Sequence, residues 1–181
     1  MDWIAIYSQT GSEIEQISYE LGKNPIKIFS DRENSKRSKW VQERTTICSK
    51  EEIETNILLN KNKLITLHGY LRIVSEDVCK QHSNIYNGHP GLITEYPELK
   101  GKDPQKKILQ SDKEYSIIGS VIHKVIPEVD SGEIIISHSV ENNCRTEDEV
   151  FDELRKTSME CWIDFFRKLS LRRLDFNNRE V

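Results

Sequence analysis

Tyr86-Asn87-Gly88-His89-Pro90 is the stretch on which the reading of this chain turns. On a strand, residues two apart face the same way, so Asn87 and His89 project together. Pro90 has no N–H to donate and stops the ladder, which puts the pair at a strand's end. The strand itself reads as Ile85 to Asn87, and the apolar run Leu64 to His68 before it suits a strand covered on both faces. Between the two, Ser75 caps a short helix.

Toward the amino terminus, Ser49-Lys50-Glu51-Glu52 is a capping box that opens the helix leading to Leu64. Ile4 to Tyr7 reads as a buried strand, Thr10-Gly11-Ser12-Glu13 as a second capping box opening a helix to about Leu21, and Pro25 to Ser30 as the next strand. A polar, basic stretch from Asp31 to Lys39 then passes Trp40 to a short strand near Thr46, and Lys36-Arg37-Ser38-Lys39 reads as a solvated face. Toward the carboxyl terminus, Tyr115 to Ile126 and Glu133 to Val140 are apolar stretches. A third box, Thr146-Glu147-Asp148-Glu149, opens a helix whose Val150, Leu154, Cys161, Trp162, Phe165 and Leu169 form a core-facing stripe. Strands alternating with helices predict an α/β protein with an open, mostly parallel twisted sheet and helices on both faces. Ligands of such sheets bind at the carboxyl ends of the strands, where Asn87, Gly69 and the turn Ser8 to Ser12 all fall.

At 181 residues the chain suits a single domain, 1–181, with a tail expected to fray from about 172. A net charge of −4 argues against a nucleic-acid binder, and no run approaches the roughly 18 apolar residues of a membrane span. Met1-Asp2-Trp3-Ile4 lacks the basic start and apolar region of a signal peptide. Cys48, Cys79, Cys144 and Cys161 are scattered without a Cys-x-x-Cys pair, so they give neither a zinc signature nor a disulfide framework. They read as reduced thiols in a cytoplasm, and no metal is expected.

Asp130 follows His89 by 41 residues, in the polar break Val129-Asp130-Ser131-Gly132 between two apolar stretches. An amide donor, an imidazole and a carboxylate can together stabilise an oxyanion and move protons while an amine attacks a carbonyl carbon. Five segments then follow in order: Trp3-Ile4-Ala5-Ile6-Tyr7-Ser8-Gln9-Thr10-Gly11-Ser12, Leu67-His68-Gly69-Tyr70-Leu71-Arg72-Ile73-Val74-Ser75, Tyr86 to Leu92, Gly119-Ser120-Val121-Ile122-His123-Lys124-Val125, and Asp130 to Ile135 before a long terminal helix. This ordered set resembles the folate-dependent formyltransferases, particularly the single-domain glycinamide ribonucleotide transformylases.

The resemblance implies a Rossmann-like formyltransferase fold and transfer of a formyl group from 10-formyltetrahydrofolate to a small-molecule amine. It assigns Asn87, His89 and Asp130 as the catalytic trio, with His123, seven residues before Asp130, in support. Leu71, Arg72 and Val74 would line one wall of the folate pocket, and Val129, Ser131 and Gly132 the other. Gly11, Ser12, Glu13 and Gly69 fall on the acceptor side. Asn87 and a protonated His89 would stabilise the oxyanion, while Asp130 would hold His89 cationic and relay the amine proton.

Three departures from the family pattern bear on the acceptor. Gly91 replaces the usual Ser, the Glu95 to Pro104 loop is longer, and the first turn carries one glycine instead of two. Glu13 also stands where the transformylases carry an amide, and its charge would repel a phosphate at the helix start. Glycinamide ribonucleotide ranks first as acceptor and a nucleotide-linked amino sugar second. Hydrolysis of 10-formyltetrahydrofolate, or a folate-binding module without turnover, are the alternatives from other classes. The expected assembly is a monomer or a homodimer.

Overall fold

Trp3–Tyr7 (β1) and Leu64–His68 (β4) are buried at every position and pair side by side in parallel at the centre of the sheet. In the computed structural model, which describes residues 2–110 and 113–177 and side chains as far as Leu171, they are flanked by Lys27–Ser30 (β2) and Thr45–Ile47 (β3) on one side. Ile85–His89 (β5), Ile117–Lys124 (β6) and Ile134–Glu141 (β7) lie on the other. The order is β3-β2-β1-β4-β5-β6-β7, parallel from β3 to β5 and antiparallel for the last two strands. The mostly parallel α/β sheet expected from the sequence is therefore what forms.

Alternate residues of β1 feed two cores. Trp3, Ala5 and Tyr7 pack with Ile14 and Ile17 of helix α1 (Ser12–Leu21), Val41 of α2 (Lys39–Arg44), and Trp162 and Phe165 of α6 (Glu147–Asn177). Ile4 and Ile6 pack on the opposite face with Ile53 and Ile57 of α3 (Lys50–Leu59) and Val78 of α4 (Glu76–Gln81). A third cluster joins Leu92, Leu99 and Ile108, the last from α5 (Pro104–Gln110), to Val121 of β6 and to Val150 and Leu154 of α6. Burial on both faces explains why the central strands carry continuous apolar runs.

Two of the three capping boxes form reciprocally, at Ser49 with Glu52 and at Thr146 with Glu149. The Thr10 to Glu13 box does not. Gly11, at φ 70°, is the N-cap of α1 with no side-chain cap bond. Buried hydrogen-bond donors draw the Glu13 carboxylate inward, away from the backbone N–H groups that a capping box would serve.

Arg37 likewise departs from the solvated face expected of its basic run. Its guanidinium is buried, donates to Ser30 Oγ at 2.9 Å and to the Arg32 carbonyl, pairs with Glu33, and lies 5.1 Å from the Tyr7 ring centre. These acceptors and the ring replace part of what water would give the two terminal nitrogens, while the buried Nε finds no hydrogen-bond partner among the described residues. Helices α2 and α5 have no counterpart in the sequence reading, because six or seven residues are too few for a helical period to stand out. Helix α6 continues to Asn177, past the expected start of fraying, and residues 178–181 lie outside the described residues. No helix among the described residues is long and apolar enough to cross a membrane.

Candidate active site

Strand β5 presents Asn87 and His89 on one face and Gly88 on the other. Across the ladder Asn87 is opposite His123 of β6, and His89 is opposite Val121. After β6 the chain turns back through Asp130, whose positive φ of 49° is unusual for a residue with a side chain. Gly132 lets that turn lie against β6, since a Cβ there would stand 1.8 Å from the Lys124 carbonyl oxygen. The turn brings Asp130 Oδ2 to 3.3 Å from His89 Nδ1 and Oδ1 to 3.3 Å from His123 Nε2. Asn87 Nδ2 lies 3.1 Å from the same His123 nitrogen, and His123 Nδ1 donates to the Lys124 carbonyl at 3.0 Å. The trio and the supporting histidine are thus one connected group.

The long loop after Pro90 closes over this group. The Leu99 carbonyl lies 2.9 Å from His89 Nε2, and the Gly101 N–H donates to Asp130 Oδ2 at 2.9 Å. Lys100 Nζ donates to Ser131 Oγ, tying the loop to the turn beyond Asp130. Both nitrogens of the buried His89 ring therefore already face acceptors.

Burial is the largest influence on His89 and pulls its pKa below the ordinary value, against the opposing attraction of Asp130 and the Leu99 carbonyl. Burial also opposes charge on Asp130, but the His123 hydrogen bond, the His89 charge and the Gly101 N–H outweigh it and hold the carboxyl at about 2.

The residues assigned to the folate pocket lie in the loops after β4 and β6. Leu71 and Val129 are half exposed, and Ile73 is more exposed still. Val74 instead points into the core of the α3 and α4 face. Arg72 donates through Nε to Asp31 Oδ2 at 2.7 Å, and Asp31 is buried beneath it and Arg32. On the acceptor side, the Gly69 carbonyl accepts from the Ser8 N–H, and the Ser12 N–H meets Thr10 Oγ1 at 3.4 Å.

Glu13 is the acceptor-side residue the sequence placed least well. Its Oε2 lies 2.7 Å from His68 Nδ1 and accepts from Trp162 Nε1 at 3.1 Å, while Oε1 accepts from Ser158 Oγ at 2.6 Å. Burial opposes its charge, yet these bonds win and hold its pKa below the ordinary carboxylate value. The sequence reading missed His68 and Ser158 as partners of Glu13, because they stand 55 and 145 residues away from it, respectively. Among the described residues, no three His, Cys, Asp or Glu side chains are grouped to hold a metal ion.

A sequence profile of the family described as Formyl transferase matches residues 2–164. The chain belongs to the formyl transferase family. Among solved members of similar fold, phosphoribosylglycinamide formyltransferase from Bacillus halodurans is 22% identical, with a TM-score of 0.77 over 93% of this chain and 95% of that one. A formyltetrahydrofolate deformylase from Pseudomonas syringae pv. tomato is 14% identical, with a TM-score of 0.74 over 92% of this chain and 60% of that one. At these identities the likeness to this formyl transferase is one of fold. The trifunctional purine biosynthetic protein adenosine-3 of Gallus gallus is 35% identical over 79 residues, which is 43% of this chain and only 7% of that much longer protein.

Proposed function

We propose that this formyl transferase moves a formyl group from 10-formyltetrahydrofolate to the amine of a small phosphorylated or nucleotide-linked acceptor, with glycinamide ribonucleotide first in rank. The observation that carries the proposal is the contact of Asn87, His89, Asp130 and His123 at the carboxyl end of β5. The donor supplies the formyl carbon and a nitrogen leaving group. Leu71 and Val129 would cover its ring, consistent with their exposure.

Asn87 Nδ2 carries two hydrogens. One of them is available to the oxygen on which charge develops as the amine attacks. His89 takes the amine proton. Its lowered pKa favours the neutral ring, and the Asp130 carboxylate then stabilises the imidazolium that results.

The role of Asp130 therefore differs from that expected from the sequence. A carboxyl held at about 2 is too acidic to carry the proton itself, so Asp130 orients and stabilises while His89 shuttles. The imidazolium returns its proton to the departing nitrogen, which balances the transfer. Because Leu99 O occupies His89 Nε2, the loop from Tyr96 to Asp103 draws back before that nitrogen meets substrate.

A nucleotide-linked amino sugar is the second reading. It is favoured at the start of α1, where Thr10 already engages the Ser12 N–H and no side chain among the described residues caps the helix. Incubation with 10-formyltetrahydrofolate and each amine in turn, read by product mass, tests both. Acceptor-independent formate release would replace transfer with hydrolysis, and no turnover with any amine or with water would defeat the proposal.

A further inference from the structure

We propose that Glu13 and Trp162 are positioning residues for formyl transfer: they fix the floor on which β5 lies and thereby set the height of Asn87 and His89. The inference rests on the reaction proposed above.

Strand β5 is held laterally by its ladders to β4 and β6, which pair Gly88 with His68 and with Ile122. Lateral pairing leaves its vertical position to whatever lies beneath. Beneath Gly88 is the indole of Trp162, so close that a Cβ on Gly88 would stand 2.7 Å from Nε1 and 3.1 Å from two ring carbons. The His68 ring packs against the same indole, with 4.4 Å between ring centres. Both rings are bonded to one atom, Glu13 Oε2, at 2.7 Å for His68 Nδ1 and 3.1 Å for Trp162 Nε1. Ser158 Oγ at 2.6 Å fixes the other oxygen of that carboxylate.

A single carboxylate thus locks two rings under the residue between Asn87 and His89. None of the three partners reaches the opposite face, where the reacting groups stand, so their influence passes through the backbone of Gly88. A displacement of about 1 Å can cost a catalytic group on the order of a hundredfold in rate.

Glu13→Gln is the central test. Serine, indole and imidazole all present hydrogens to the carboxylate, whereas an amide offers one acceptor oxygen and turns its own N–H₂ toward one of these donors. At saturating substrates, kcat is expected to fall roughly ten- to a hundredfold with the folate KM within about twofold. Trp162→Phe, which keeps a ring and loses the N–H, should fall in the same way. Gly88→Ala should be severely impaired alone and partly rescued in the Trp162→Phe background, because the smaller ring makes room for the methyl. This pair remains informative if Glu13→Gln fails to fold by circular dichroism.

NMR of the Asn87 side-chain amide and the His89 ring gives a readout that needs no turnover, so it decides the inference even if formyl transfer is not the reaction. Both signals should move in Trp162→Phe and in folded Glu13→Gln. Unchanged signals overturn the proposal whatever happens to kcat, as do a near-normal kcat in both single variants and a failure of Trp162→Phe to improve Gly88→Ala.

Discussion

Two carboxylate–imidazole groups lie back to back across the sheet at β5. On one face Asp130 meets His89 and His123, and on the other Glu13 meets His68. The Glu13 contacts are the shorter, and its partners come from strand and helix. Asp130 is reached partly through a loop, and its turn holds a positive φ of 49°. A carboxylate closed in by three core donors suits support, whereas one whose partners include a loop N–H suits chemistry. The difference lies in what covers each group rather than in the residue types.

The largest effects that would break this division belong to the reacting face. Asn87→Ala and His89→Ala should each lower kcat by roughly two to three orders of magnitude, since each removes a group proposed to act on the developing oxyanion or on the amine proton. Near-full activity of either variant in saturating folate would end the assignment. Asp130→Asn should cost at least about tenfold in kcat with little change in folate KM. The acid limb of its pH–rate profile should also move to lower pH, because the Asp130 charge raises the His89 pKa and its loss leaves burial less opposed. An unmoved limb would remove Asp130 from the mechanism.

Acid stability sharpens the comparison at smaller magnitude. The folded Asp130 carboxyl titrates at about 2 against an ordinary 3.8, so the unfolded chain binds its proton first as pH falls. Its stabilising contribution, roughly 2 kcal/mol, is complete above pH about 4 and drains away as pH drops to about 2. Asp31, also at about 2 beneath Arg32 and Arg72, follows the same course. Urea unfolding between pH 5 and 2.5 should therefore show a shallower loss for Asp130→Asn than for the native chain. The smallest expected effect lies far from both groups. Ser49→Ala, which removes one capping box, should cost about 1 kcal/mol in urea unfolding and leave turnover unaltered.

The parts of this molecule that show in the sequence are those built from local or repeating signals. The buried runs of β1 and β4, the stripe of α6 and the two capping boxes that form all carry their reason within a few residues. Asn87 and His89 are legible because strand period puts them together, and Asp130 because it breaks two apolar stretches. Arg37 and Glu13 are not, because each looks like an ordinary surface charge until a distant strand or helix supplies its partners. The occupied state of His89 was equally hidden, for it depends on where a carbonyl ten residues away comes to rest.

Helix α6 joins these regions mechanically. Its Val150 and Leu154 pack against the cluster that includes Leu99, and its Trp162 lies under Gly88. Leu154 and Trp162 are about 12 Å apart along the axis. The loop over His89 and the indole under Gly88 are thus bolted to a single beam: a tilt that lifts the loop at one end must be absorbed along the rod or arrive beneath the strand at the other.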